Sequence, residues 1–256
     1  MTDDEVLISS VKDKAQECEE NAVITHTDFL DLKAQSDAAA VLNKMKNVRF
    51  IFTGGYDMAE RKTVVFLPFY VDDFFDYIKE SPELCPYVML RADKDSFSKL
   101  THRDYLGALM GLGIKREKIG DIIIDEKGCY FFADRKIKDY LCQNFTSAGR
   151  GTIKTYEATK NSELSICSNT EEKTCFVKSL RLDSTLSAVF SLSRAKASDF
   201  IEKGLVFVDD RQIIKPDYKL GEGSKLVLRG SGKAVIRDAS SHSKSGRTVL
   251  IVDVFK

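Results

Sequence analysis

Two apolar stripes of helical period lie back to back between residues 181 and 204, and short β-type runs follow at once. Few folds accept that order. In the first stripe Leu182, Leu186, Val189 and Phe190 fall at i, i+4, i+7 and i+8, with Asp183 placed to cap the helix. In the second, Ser193 is a good N-cap, Ala197, Phe200 and Ile201 form the buried face, and Gly204 sits where a left-handed residue ends a helix. Leu205-Val206-Phe207-Val208, a turn at Asp209-Asp210, Ile213-Ile214, Lys215-Pro216, a Gly221-Glu222-Gly223 turn and Leu226-Val227-Leu228 then predict a small hairpin sheet.

The charges on these helices run against the helix dipole. Its positive end favours carboxylates, yet Arg181 flanks the first helix, and Arg194 and Lys196 occupy the first turn of the second. Cations beside free backbone N–H groups make an anion site, and phosphate is the anion they predict. Residues 178–256 hold 15 Lys and Arg against 9 Asp and Glu, while the other 177 residues hold 24 against 30. The polyanion-binding end is therefore expected to be C-terminal, with an affinity that falls steeply as salt rises.

R-L-D-S-T-L-S at 181–187, L-S-R-A-K-A-S-D-F-I-E-K-G-L-V-F-V at 192–208 and R-G-S-G at 229–232 resemble the S-four RNA-binding domain of ribosomal small-subunit protein four. The likeness spans residues 180–237. It implies RNA contact through Arg181, Arg194, Lys196 and Lys203, with Arg229 as a further candidate.

In the middle third, residues 87–91 read as a strand. Thr101 and Asp104 form a capping box for a helix that carries Tyr105, Leu106, Leu109 and Met110 and stops in Gly111-Leu112-Gly113. A hairpin is expected around residues 125–128, then a helix over 135–145 and a strand over 152–156. The order β-α-β-β-α-β is the ferredoxin-like unit that RRM domains also use. Strand 127–132, with Tyr130, Phe131 and Phe132, invites an RRM stacking role, but aromatics at strand spacing more often belong to a core. His102 and Arg103 at a helix start, with Lys115 and Arg116 in the loop after that helix, are candidates for a second polyanion contact.

His102-Arg103-Asp104 copies the opening of a kinase catalytic loop, but Leu109 stands where that loop needs Asn. Gly111 and Gly113 are not followed by a third glycine at dinucleotide-fold spacing. No paired acid, base or nucleophile is evident, so no catalytic residue and no cofactor are expected. Six cysteines without a C-x-x-C pair, and only His26, His102 and His242, predict reduced thiols and no metal site.

L-T-H-R-D-Y-L-G-A-L-M-G-L-G-I-K-R-E-K-I-G-D-I at 100–122, with Gly54-Gly55-Tyr56 and Phe66-Leu67-Pro68-Phe69-Tyr70, is similar to the YlmH/RqcP family of bacterial RNA-binding proteins, which carry an S-four domain at the C-terminus. The resemblance implies a non-enzymatic factor of the large ribosomal subunit. Its expected partners are large-subunit rRNA, tRNA and a tailing factor on the obstructed subunit, in support of nascent-chain tailing. The alternatives are a binder of free structured RNA and an RNA-modifying enzyme such as a pseudouridine synthase. Arg181-Leu182-Asp183 imitates the nucleophile motif of that enzyme, but Leu186 replaces the Thr it requires.

The N-terminal third predicts helices over 5–20 and 28–45, the second capped by Thr27, and paired strands over 48–52 and 63–67. Phe66, Phe69, Tyr70, Phe74 and Phe75 are expected in a core. The expected class is α+β in three parts: an N-terminal α+β domain at 1–78, an RRM-like ferredoxin-fold domain at 79–160, and an S-four domain at 178–240 with a C-terminal strand to 256. Residues 160–173 read as a linker or exposed hairpin, and 238–246 as a Ser-rich surface loop, with Lys244 and Arg247 as candidates for an added phosphate contact. There is no 18-residue apolar run, and Met1-Thr2-Asp3-Asp4-Glu5 is acidic where a signal peptide is basic. A cytoplasmic protein with no membrane contact is expected, and nothing points beyond a monomer.

Overall fold

The computed structural model describes residues 2–95, 99–158, 170–242 and 246–255. The chain divides into two compact units, Met1–Ile166 and Cys167–Lys256. No helix among the described residues is long and apolar enough to cross a membrane.

The first unit opens with α1 (Asp3–Asn21), started by a reciprocal capping box between Thr2 and Glu5. Then come β1 (Thr25–His26), α2 (Leu32–Leu42), β2 (Phe50–Thr53), β3 (Thr63–Phe66) and α3 (Phe74–Glu80). The strands form a sheet of order β1-β3-β2. Helix α2 begins later than its periodicity predicts, and Asp31 rather than Thr27 caps it. Residues 27–30 are drawn into β-type pairing instead: the Phe29 N–H donates to the Glu117 carbonyl and the Leu30 N–H to that of Lys62. All four residues of central strand β3 are buried. Val64 and Phe66 pack on α1 and α2, while Val65 points into a second core.

The rest of the unit is β4 (Tyr87–Lys94), α4 (His102–Gly111), β5 (Ile119–Asp125), β6 (Gly128–Asp134), α5 (Lys138–Asn144), β7 (Ser147–Ala148) and β8 (Gly151–Glu157), of which β4, β5 and β6 share that second core. The sheet order is β5-β6-β4-β8-β7, and every pairing is antiparallel. Without the short β7 this is the ferredoxin-like arrangement read from the sequence. One face buries Leu90, Tyr105, Leu109, Phe131, Leu141 and Phe145 under the helices. The other face, which RRM domains use for bases, is covered by the N-terminal elements through Phe29, Val65, Val71 and Phe74, packed on Tyr87, Met89 and Phe132. Phe132 stacks on Tyr56 with ring centroids 5.6 Å apart and is closed to a nucleobase. The boundary expected between residues 78 and 79 therefore falls within one compact unit, because both sides fill the same core.

Asp121 fixes this junction. Its carboxylate accepts hydrogen bonds from the Tyr56 hydroxyl at 2.7 Å and from the N–H groups of Glu60 at 2.7 Å and Arg61 at 3.0 Å. Gly55, with φ +96°, lies under the Phe132 ring, where any Cβ would collide at 2.2 Å. The aromatic run read as core divides. Phe66 and Phe74 are buried, whereas Phe69, Tyr70 and Phe75 are exposed.

The second unit holds β9 (Thr170–Val177), α6 (Leu182–Val189), α7 (Arg194–Glu202), β10 (Val206–Val208), β11 (Arg211–Gln212), β12 (Lys225–Leu228), β13 (Gly232–His242) and β14 (Thr248–Phe255). They form a sheet of order β11-β10-β12-β13-β14-β9. The helices bury Leu182, Leu186, Val189, Ala197 and Ile201 on it, as the stripes predict. The end of the expected linker or exposed hairpin and part of the expected Ser-rich loop are strand for a shared reason. The C-terminal β14 pairs along its length with β9 on one side and β13 on the other, recruiting residues 170–173 and 238–242 into the sheet. Lys244 and the core of the expected linker, residues 159–169, lie outside the described residues.

Candidate nucleic-acid interface

Two segments distant in sequence meet at the start of α6. The Leu182 and Asp183 N–H groups donate to the carbonyls of Tyr218 (2.8 Å) and Pro216 (3.0 Å), and the Leu220 N–H donates to that of Leu180 (2.8 Å). An isolated β-bridge joins Arg181 to Lys219. This pairing sets the exposed side chains of Lys215, Tyr218 and Lys219 beside the half-buried Arg181, with exposed Lys178 just before it in the chain.

Asp183 does not cap α6. Arg181 holds the cap position and Asp183 lies inside the first turn, with its side chain 5% exposed. Its carboxylate receives Arg181 Nε at 3.1 Å, Arg194 Nε at 2.9 Å and the Ser184 N–H at 2.9 Å. The buried anion thus anchors one arginine from each helix and leaves their outer N–H edges toward solvent. Burial alone would raise the Asp183 pKa, but hydrogen bonds from Arg181 and then Arg194 outweigh it and hold the carboxyl below its ordinary 3.8. Stability from this carboxylate is present above its unfolded pKa and is lost as pH falls through the depressed folded value. Arg194→Ala is expected to raise the Asp183 pKa and move this acid loss to higher pH, which carbon-detected NMR titration of the carboxyl checks.

The two helix starts differ as anion sites. At α6 the first N–H groups are spent on Tyr218, Pro216 and the Asp183 carboxylate, so the cradle expected there is filled from within. At α7, Ser193 Oγ accepts the Lys196 N–H at 3.2 Å, while among the described residues no acceptor is present for the N–H groups of Arg194 and Ala195. Arg194 and Lys196 stand over that open turn, with Lys196 Nζ 5.6 Å from the centre of the Phe200 ring.

The other candidates are dispersed. Lys203, at the opposite end of α7, pairs with Asp199 at 2.8 Å. Arg229 is exposed near that same end, its N–H bonded to the Leu205 carbonyl. A nine-residue helix separates the two ends by about 13 Å. His102, Arg103 and Lys115 are exposed on the first unit. Arg116 is half-buried, and its guanidinium donates through Nη1 to the carbonyls of Ile119 and Gly120. Burial, and then the neighbouring Arg61, push its pKa down to about 10.

Sequence reading missed Lys215, Tyr218 and Lys219. Two lysines around a tyrosine in a Pro-containing turn were a signal, but only the backbone pairing brings them to Arg181. Fold and basic face together define an RNA-binding protein of the S4 class, two helices on a small sheet with cations gathered at the helix starts.

The S4 domain family model matches residues 180–226. The N-terminal YlmH model matches residues 4–71, and the model of a putative RNA-binding domain in YlmH matches residues 91–162. The chain is 34% identical over 223 residues to ribosome-associated protein quality control protein P2 of Bacillus subtilis (strain 168), covering 86% of this chain and 83% of that protein. It belongs to the YlmH family. A solved chain described as cell division protein ylmH from Streptococcus pneumoniae matches 64% of this chain and 95% of its own length, with a TM-score of 0.50 and 18% identity. That likeness bears on the fold.

Proposed function

We propose that this protein is a non-catalytic, cytoplasmic factor that binds the large ribosomal subunit, contacts rRNA and tRNA there, and supports nascent-chain tailing when that subunit is obstructed. The observation that carries the reading is the basic face of the second unit, where Lys215 and Lys219 lie beside Arg181 at the start of α6 and Arg194, held by the same Asp183, stands with Lys196 at the N-terminal turn of α7. Exposed Tyr218 adds a ring on which an unpaired base can stack. The relationship to a ribosome-associated quality control protein supports the ribosome as the setting. We read the first unit's two family matches as successive parts of one RNA-presenting body, with His102, Arg103 and Lys115 as secondary contacts, and a tailing factor as the protein partner. A photoreactive phenylalanine at position 218 tests the reading. Crosslinks to large-subunit rRNA or bound tRNA are expected, and crosslinks confined to free RNA would redirect it to a general structured-RNA binder.

A further inference from the structure

A carboxylate stands at the centre of the cationic face. By charge alone Asp183 weakens the attraction of that face for phosphate, since like charges at close range repel. It is also withdrawn from water, its side chain only 5% exposed, which is costly for an anion. Neither helix uses it as a cap: Arg181 holds the cap position of α6 and Ser193 that of α7. Nor do the helices depend on it to meet, because Leu182, Leu186, Ala197 and Ile201 pack them on one core.

The carboxylate grips two guanidiniums by their inner edges. Arg181 donates from Nε at 3.1 Å and from Nη2 at 3.3 Å, while Arg194 donates from Nε at 2.9 Å and sets its Nη2 at 2.9 Å from the same oxygen, Oδ2. Two cations from different helices thus converge on one oxygen. Among the described residues neither Nη1 has an acceptor, and the two side chains remain 41% and 61% exposed. Asp217 is near enough to act on Arg181, but it is itself exposed and bonds to neither guanidinium. A solvated arginine gives up much rotamer freedom when it binds phosphate, whereas one already held in place gives up less.

We infer that Asp183 is a positioning residue for RNA: it fixes Arg181 and Arg194 in advance with their Nη1 edges outward, so that a negative charge on this face strengthens binding to phosphate. The inference rests on the RNA-binding reading of the second unit. Asp183→Asn tests it by sign, with a labelled uridine oligonucleotide titrated into the full-length protein across a salt series. Although the substitution removes a repulsive charge, it is expected to weaken binding about tenfold, as for one lost charged contact, and to make the salt dependence shallower. In an Arg181→Gln, Arg194→Gln background the same change is expected to strengthen binding or leave it unchanged, because the carboxylate then has nothing to position. Equal or tighter binding by Asp183→Asn alone would overturn the inference and leave a plain repulsive charge. Weakening in both backgrounds would overturn it in favour of a structural role. Circular dichroism checks the fold of each variant, and NMR of the arginine Nε–H groups in the parent protein needs no variant to fold. Arg181 and Arg194 are expected to be ordered before RNA is added, and signals averaged by side-chain motion would contradict the inference. A parent protein that binds no oligonucleotide at low salt would end the RNA reading and this inference with it, an outcome its own binding curve sets apart from the others.

Discussion

Reversing the charge at Lys196, Lys215 and Lys219 together is expected to weaken binding to the large ribosomal subunit about 100-fold at moderate salt while leaving the fold intact. Among the described residues none of the three has an ion-pair partner, and all are exposed, so their removal leaves no described buried carboxylate unpaired. A charged hydrogen bond is worth roughly 1.5–3 kcal/mol, and the loss of two well-made contacts is enough for the predicted change. The salt dependence is the sharper readout. Each lost phosphate contact on a single strand removes about 0.7 from the slope of log affinity against log salt, so a drop of about 2 is expected. Arg181 and Arg194 are less suitable for this purpose, because both also neutralise Asp183. An unchanged slope in binding measured across 50–300 mM salt, with the range chosen on the order of the usual counterion-release regime, would move the interface elsewhere.

Asp121→Ala is expected to destabilise the first unit by about 3–5 kcal/mol, the largest stability effect of any polar substitution considered for this chain. The carboxylate is 9% exposed and serves two backbone N–H groups and the Tyr56 hydroxyl. Its removal leaves those donors without their acceptor in a site that water reaches poorly. It also loosens the turn that carries Gly55 under Phe132, the contact through which the N-terminal elements cover the β4–β6 face. Asp121→Asn keeps an acceptor oxygen but cannot accept in the same way from three donors, and is expected to cost less. Urea denaturation of both variants measures the effect. A midpoint for Asp121→Ala equal to that of the parent protein would show that the turn is held by packing alone.

The S4 helices were legible because their stripes are local. Leu182, Leu186 and Val189 in one helix, and Ala197 and Ile201 in the next, each lie within a turn or two of their neighbours, and period alone names their buried face. The ferredoxin-like order was legible for the same reason, since its strands and helices alternate with clear caps such as the Thr101–Asp104 box. What was hidden depends on pairing between distant segments. Residues 27–30 leave a plausible helix because Phe29 and Leu30 find backbone partners at Glu117 and Lys62. Residues 238–242 read as a Ser-rich loop until β14 pairs with them.

The candidate site follows the same division. Arg194 and Lys196 were visible as cations at a helix start, whereas Lys215 and Lys219 reach the site only through the bridge to Arg181. Arg116 reads as an open basic residue, but composition does not reveal that it is half-buried with Nη1 bonded to the carbonyls of Ile119 and Gly120. Asp183 was read as a helix cap, a local role, but its two arginine partners come from different helices. Residue type alone places Phe69 in a core, and only the Arg49 and Tyr70 hydrogen bonds explain why it is held outside one.

The most direct test is cosedimentation of the full-length protein with separated small and large ribosomal subunits, with and without bound tRNA, across a salt series. The account predicts selective binding to the large subunit that tRNA strengthens and salt steeply weakens. Equal binding to both subunits and to free RNA, or binding indifferent to salt, would contradict it.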